Sequence, residues 1–84
     1  MRYTVVWEDA AIDQLAHCFN TAQVPNAVSA AQHRIDRLLL TNPLANADLK
    51  AEGMYSLVVP PLYVLFDVND ADCIVRIESV RLIP

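Results

Sequence analysis

Glycine is nearly missing from this chain: Gly53 is the only one in 84 residues. Glycine-rich phosphate loops and flexible glycine linkers are thereby excluded. Cysteine is also scarce. Cys18 and Cys73 are too few for a disulfide scaffold or a zinc site, and both read as reduced, structural residues. Positive charge is in short supply, with 6 Lys+Arg against 10 Asp+Glu and a formal net charge of −4. That balance argues against binding driven by nucleic-acid phosphates, although it leaves room for a small local basic patch. No apolar run reaches the length of a membrane span, and the opening residues show no apolar signal-peptide core. A cytoplasmic protein without a membrane partner is expected. What the chain does have is apolar content, 55% of its residues. This is too much for a disordered segment. The length suits one domain spanning residues 1–84.

The pattern along the chain predicts a strand over residues 2–7 (RYTVVW), with Tyr3, Val5 and Trp7 on one side. Asp9 is placed to cap a following helix through its carboxylate. In that helix Ile12, Leu15, Ala16 and Phe19 recur at helical spacing, with Asp13, Gln14 and His17 opposite. Pro25 suits the first turn of a second helix, whose apolar stripe is Val24, Val28, Ala31, Ile35, Leu38 and Leu39. Pro43 ends it. Residues 44–53 read as a polar connector. Three strands follow, over residues 54–59, 62–68 and 73–83. Pro60 and Pro61 stop the first of them, and Asn69, Asp70, Ala71 and Asp72 turn the chain before the third. The predicted class is α+β in the order β-α-α-β-β-β: a helical hairpin packed on a small, mostly antiparallel sheet.

Alternation sorts the strands into two faces. Tyr55, Leu57, Val59, Leu62, Val64, Phe66, Val68, Val75 and Ile77 are expected beneath the helices. Met54, Ser56, Val58, Tyr63, Leu65, Asp67, Arg76 and Glu78 fall on the reverse face. That face mixes hydroxyls, charges and apolar surface, so it is the expected functional surface. Of its residues, Met54, Ser56, Val58, Tyr63, Leu65, Arg76 and Glu78 are the expected partner-binding set.

The segments YTVVWEDAAIDQL, HRIDRLLLTNP, EGMYSLVVPPLYVLFDV and CIVRIESVRL resemble the RelE/ParE superfamily of bacterial toxins from type II toxin–antitoxin modules, which includes plasmid-stabilisation proteins. The resemblance spans nearly the whole chain and rests on apolar patterning rather than on invariant chemistry. It implies a toxin neutralised by an antitoxin polypeptide that wraps around it. The target it implies is the ribosome, for RelE-type mRNA endonucleases, or DNA gyrase, for the ParE branch. RelE-type nucleases carry basic residues on the strand that here holds Ser56 and Val58, and an arginine where Leu62 or Tyr63 stands. The sequence ends at Pro84, with no counterpart of their tail tyrosine. Arg81, Arg76 and Tyr63 are the only candidates left for a catalytic role. Cleavage needs a group to orient the 2′-hydroxyl and another to stabilise the phosphate. A catalytically degenerate toxin acting by macromolecular binding is therefore expected, with a non-catalytic interaction domain as the alternative.

Other residues read as structural. His17 and His33 have no nucleophile beside them and read as solvated helix residues. Asp67, Asp70 and Asp72 lack the glycine and terminal glutamate of a calcium loop. Ser56 has no nucleophile-elbow context and reads as a surface serine. Arg76 and Glu78 suggest a weak exposed ion pair. No cofactor and no metal are expected. The partner is expected to be an antitoxin polypeptide or a second copy of the chain. From the net charge alone, its binding segment would be neutral or basic.

Overall fold

The computed structural model describes residues 2–83. Its elements are β1 (Thr4–Trp7), α1 (Asp9–Thr21), α2 (Pro25–Thr41), β2 (Asp48–Ala51), β3 (Met54–Val59), β4 (Leu62–Asn69) and β5 (Ile74–Leu82). The strands form one sheet in the order β1-β5-β4-β3-β2. β1 runs parallel to β5, and the remaining pairs are antiparallel. The predicted class, a helical hairpin on a mostly antiparallel sheet, is what the chain adopts. No helix among the described residues is long and apolar enough to cross a membrane.

One strand was not legible. β2 lies inside the expected polar connector, and all its residues are exposed. An exposed strand has no apolar alternation to betray it. It forms because Gly53, at φ +76°, turns the chain back onto β3. Only glycine enters that left-handed region without a steric penalty.

The core matches expectation on the sheet side. Leu57, Val59, Leu62, Val64, Phe66, Val75 and Ile77 are buried, with Tyr55 and Val68 packed against them. Tyr55 stacks on Phe66 at a centroid distance of 5.9 Å. α2 contributes Val28, Ala31, Ile35 and Leu39. Val24 does not join them; it is the residue preceding the helix and lies exposed. Pro25 starts α2, and Asn42, at φ −145° and ψ 76°, has left the helical region before Pro43, whose ring disfavours a helical residue ahead of it.

α1 departs further from its pattern. Its buried residues are Ala11 and Cys18, with Leu15 packed beside them, while Ile12 and Phe19 are exposed. The helix is rotated so that small side chains face β5. Two apolar stripes were available, and the smaller one permits the closer approach. A second contact fixes this rotation. The Val80 amide of β5 donates to Gln14 Oε1 at 2.9 Å. β1 pairs with β5 only as far as Ile77, so beyond that point a helix side chain satisfies a strand edge. Asp9 is the first residue of α1, not its cap; Glu8 occupies the cap position without a side-chain bond.

Candidate functional site

The reverse face of the sheet is built by the register of β3, β4 and β5. Val58 lies opposite Tyr63, and Tyr63 opposite Arg81. Ser56 lies opposite Leu65, and Leu65 opposite Ser79. Asp67 lies opposite Arg76. The Arg81 guanidinium sits over the Tyr63 ring, 4.6 Å from its centroid. A cation held on an aromatic face is already oriented, and it presents its remaining N–H groups outward.

A bulge decides what else reaches this face. Leu65 pairs with Ser79, but Phe66 pairs with Ile77, which leaves Glu78 without a partner in register. The extra residue shifts the alternation of β5. Ile77 and Val80 therefore both point into the core. Arg81, two residues beyond Ser79, comes to stand beside Tyr63 for the same reason.

The bulge also overturns the expected Arg76–Glu78 pair. Arg76 Nε instead bonds Glu8 Oε1 at 2.9 Å, with both side chains nearly half exposed. Glu78 Oε2 is enclosed and has no hydrogen-bond partner among the described residues. Ser56 is a second correction. It is 2% exposed and belongs to the interior of the face rather than to its surface. Asp48 of β2 stands beside it in register, so at this position β3 is an interior strand of the sheet. Of the expected partner-binding residues, Val58, Tyr63 and Leu65 thus form a contiguous patch with Arg81. Met54 lies at the β2–β3 corner, Arg76 is tied to Glu8, and Ser56 and Glu78 are drawn inward.

Among the described residues no group of His, Cys, Asp or Glu is arranged to hold a metal ion. Burial pushes the Cys18 thiol above its ordinary pKa. It is therefore a poor nucleophile near neutral pH. His17 lines a groove between α1 and β5 that also contains Gln14, Cys18 and Arg81. The turn from β4 to β5 is the predicted Asx arrangement. Asn69 Oδ1 accepts from the Asp72 amide at 3.1 Å, and Tyr3 donates its hydroxyl to Asp70 Oδ1 at 2.8 Å. That bond to a carboxylate, joined by desolvation and the nearby negative charge, raises the Tyr3 pKa. Pro84, where the sequence ends, lies outside the described residues.

Sequence reasoning missed Glu8 and Gln14 as partners of β5. It also missed Asp36, which accepts from Trp7 Nε1 at 2.8 Å. Each of these pairs is separated by a long stretch of chain, and neither helical nor strand periodicity signals them.

No protein-family model matches the sequence, and no curated protein matches it significantly. Solved structures do match. The chain is similar to the RelBE2 toxin–antitoxin complex of Mycobacterium tuberculosis, with a TM-score of 0.80 and 22% identity over 98% of this chain and 92% of that one. It is similar to the ParDE system of P. aeruginosa, with a TM-score of 0.75 and 16% identity over 99% and 98% of the two chains. It is also similar to the isolated RelE toxin of E. coli, with a TM-score of 0.70 and 12% identity over 98% and 85%. The helical hairpin on a mixed five-stranded sheet is therefore the fold of the RelE/ParE structures.

Proposed function

We propose that the chain is the toxin-like component of a type II toxin–antitoxin module, acting in the cytoplasm by binding a macromolecule and neutralised by an antitoxin polypeptide. The observation that carries this reading is the match to the RelBE2 toxin–antitoxin complex over nearly the full length of both chains. The reverse sheet face supports a binding rather than a cleaving role. It offers one cation oriented on an aromatic ring, apolar surface at Val58 and Leu65, and an arginine already engaged by Glu8. No histidine or carboxylate is paired in register with Tyr63 or Arg81, and Asp13 and His17, which share a groove with Arg81, belong to α1 rather than to this sheet face. This same observation favours the second reading, a non-catalytic interaction domain that keeps the fold and the partner.

Induced expression in a bacterial host, scored by colony count, separates the two. A toxin lowers viability, and co-expression of the short reading frame beside its gene restores it. Unchanged viability at high expression sinks the toxin reading and leaves the interaction domain. If viability falls, the ribosome and gyrase are distinguished by assaying mRNA cleavage on ribosomes and plasmid supercoiling in parallel. Sedimentation of the pure protein then tests whether a second copy covers the same surface.

A further inference from the structure

The two outermost strands of the sheet are finished differently. β2 is exposed along its length, is irregular between Leu49 and Ala51, and carries Asp48 and Lys50. Charge and a bulge are devices that keep a strand edge from pairing with another chain. β1, equally short, has neither. Thr4, Val5, Val6 and Trp7 include no charged residue and no proline, and they pair with β5 in unbroken register. Two hydrogen bonds fix where the free backbone groups of β1 point. Thr4 donates its amide to the Cys73 carbonyl at 2.7 Å, and Glu8 donates to the Ile77 carbonyl at 3.0 Å. Alternate residues of a strand serve the same neighbour. Thr4, Val6 and Glu8 therefore face β5, and Val5 and Trp7 turn their N–H and C=O groups to the open side. The open stretch ends at Tyr3, whose amide donates to the Leu40 carbonyl at 2.6 Å.

The surroundings of this edge differ on the two sides of the sheet. On the outer side Val6 is 39% exposed. On the helix side Val5 and Trp7 line a recess of about 350 Å³ with Gln32, Asp36, Arg37 and Leu40 of α2. The rim of that recess carries one charge of each sign. It can therefore meet a copy of itself without net repulsion, as a two-fold interface requires of its surface.

We propose that β1 is a self-pairing edge: two copies of the chain join antiparallel through it, about a two-fold axis at Val6, into one continuous sheet. The free backbone groups select this register. With the axis at Val6, Val5 of each copy lies opposite Trp7 of the other, and every open group of both strands is used. With the axis at Val5, Trp7 meets Tyr3, whose amide is already taken. With the axis at Trp7, Val5 meets Asp9, the first residue of α1. The side chains agree with the first arrangement. Thr4 comes opposite Glu8 of the second copy, a hydroxyl beside a carboxylate. Arg2 comes diagonal to the same carboxylate, a spacing that long side chains span. The two Val6 side chains meet on the axis and cover each other's exposed surface. A foreign strand supplies the backbone bonds but not this match of ends. The pairing leaves Tyr63 and Arg81 free, and it stands or falls independently of the toxin reading.

Sedimentation velocity of the full chain from about 10 μM to about 1 mM tests this, since so short an interface holds weakly. A reversible monomer–dimer equilibrium is expected. Val6→Lys sets two ammonium groups against each other on the axis and should weaken the dimer about ten-fold or more. Leu49→Lys, on the opposite edge strand, should change it by less than about two-fold, as surface substitutions do. Both positions are exposed, so both variants are expected to fold. The register is read by oxidation. In a non-hydrogen-bonded antiparallel pair the Cα atoms stand about 4.5 Å apart, within disulfide reach. Val6→Cys should therefore yield a covalent dimer under mild oxidant. Thr4→Cys, whose opposite residue is Glu8, should not, and neither should the unaltered protein. A chain that stays monomeric at the highest concentration, even one that captures a foreign polypeptide, overturns the proposal. A dimer indifferent to Val6→Lys overturns it as well, as does Thr4→Cys linking as readily as Val6→Cys.

Discussion

The two faces of the sheet are built by the same three strands, residue alternating with residue, yet they have opposite fates. The inner face is closed. Leu57, Val64, Phe66 and Ile77 have little or no exposure, and both helices lie over them. The outer face is not covered by any helix. Val58 is 49% exposed, and Arg81 rests on Tyr63 in the open. One face is filled by matching size and the other by placing charge.

The sharpest way to break the comparison is to truncate one large side chain on each face. Phe66→Ala should cost about 3–5 kcal/mol, a transfer loss plus a cavity. A domain of this size has about 5–15 kcal/mol in total, so the variant should be largely unfolded near body temperature. Val58→Ala, eight residues earlier on the other face, should stay within about 0.5 kcal/mol of the parent, as exposed positions do. Urea melts of both variants check this. A Phe66→Ala midpoint close to the parent, or a Val58→Ala midpoint far below it, would reverse the assignment of the faces.

The inner face was legible in the sequence because burial on one side leaves a period of two, and that period survives without any partner information. The outer face was legible only up to Leu65. Past that point the bulge at Glu78 exchanges the sides of β5, and no residue type announces it. Ser56 was misplaced for a related reason: β2, which stands beside it in the sheet, is too polar to be seen. α1 shows the same limit in a helix. Both the Ile12–Phe19 stripe and the Ala11–Leu15–Cys18 stripe obey helical spacing. The choice between them depended on how closely β5 had to be approached.

A smaller effect probes the boundary where β1 ends and α1 takes over the edge of β5. Gln14→Ala removes the acceptor of the Val80 amide. A partly buried donor left unpaired costs about 1–3 kcal/mol. Hydrogen exchange at Val80 should accelerate more than exchange at Val75, which is paired with β1. Equal acceleration at both positions would show that Gln14 supports α1 in general rather than this edge.

Smaller still is the Arg76–Glu8 pair on the outer face. Exposed ion pairs contribute about 0–1 kcal/mol and are screened by salt. Glu8→Gln should therefore lower the melting midpoint only slightly at low ionic strength, and the gap should close as salt rises. A large, salt-independent loss would mean that Glu8 acts through its backbone position at the start of α1. There its carbonyl accepts the Ile12 amide at 2.9 Å.

The least of these effects appears only in alkali, and it distinguishes the buried side of the molecule from its exposed turn. The protonated forms of both Cys18 and Tyr3 are favoured in the folded chain, the first by burial and the second by the hydrogen bond to Asp70. A raised folded pKa gives stability that is complete below the group's unfolded value and is lost as pH rises through the folded one. Cys18, with an ordinary value of 9.0, should begin to weaken the fold before Tyr3, whose ordinary value is 10.0. Melting temperatures followed from about pH 8 to about pH 11 bracket both groups. Cys18→Ala should flatten the earlier part of that decline, and Tyr3→Phe only the later part. Tyr3 lies at the surface, where water competes for its hydroxyl, so its share should be the slighter of the two. A Tyr3→Phe variant whose alkaline decline matches the parent throughout would place the Tyr3–Asp70 bond outside the interactions that hold the β4–β5 turn against β1.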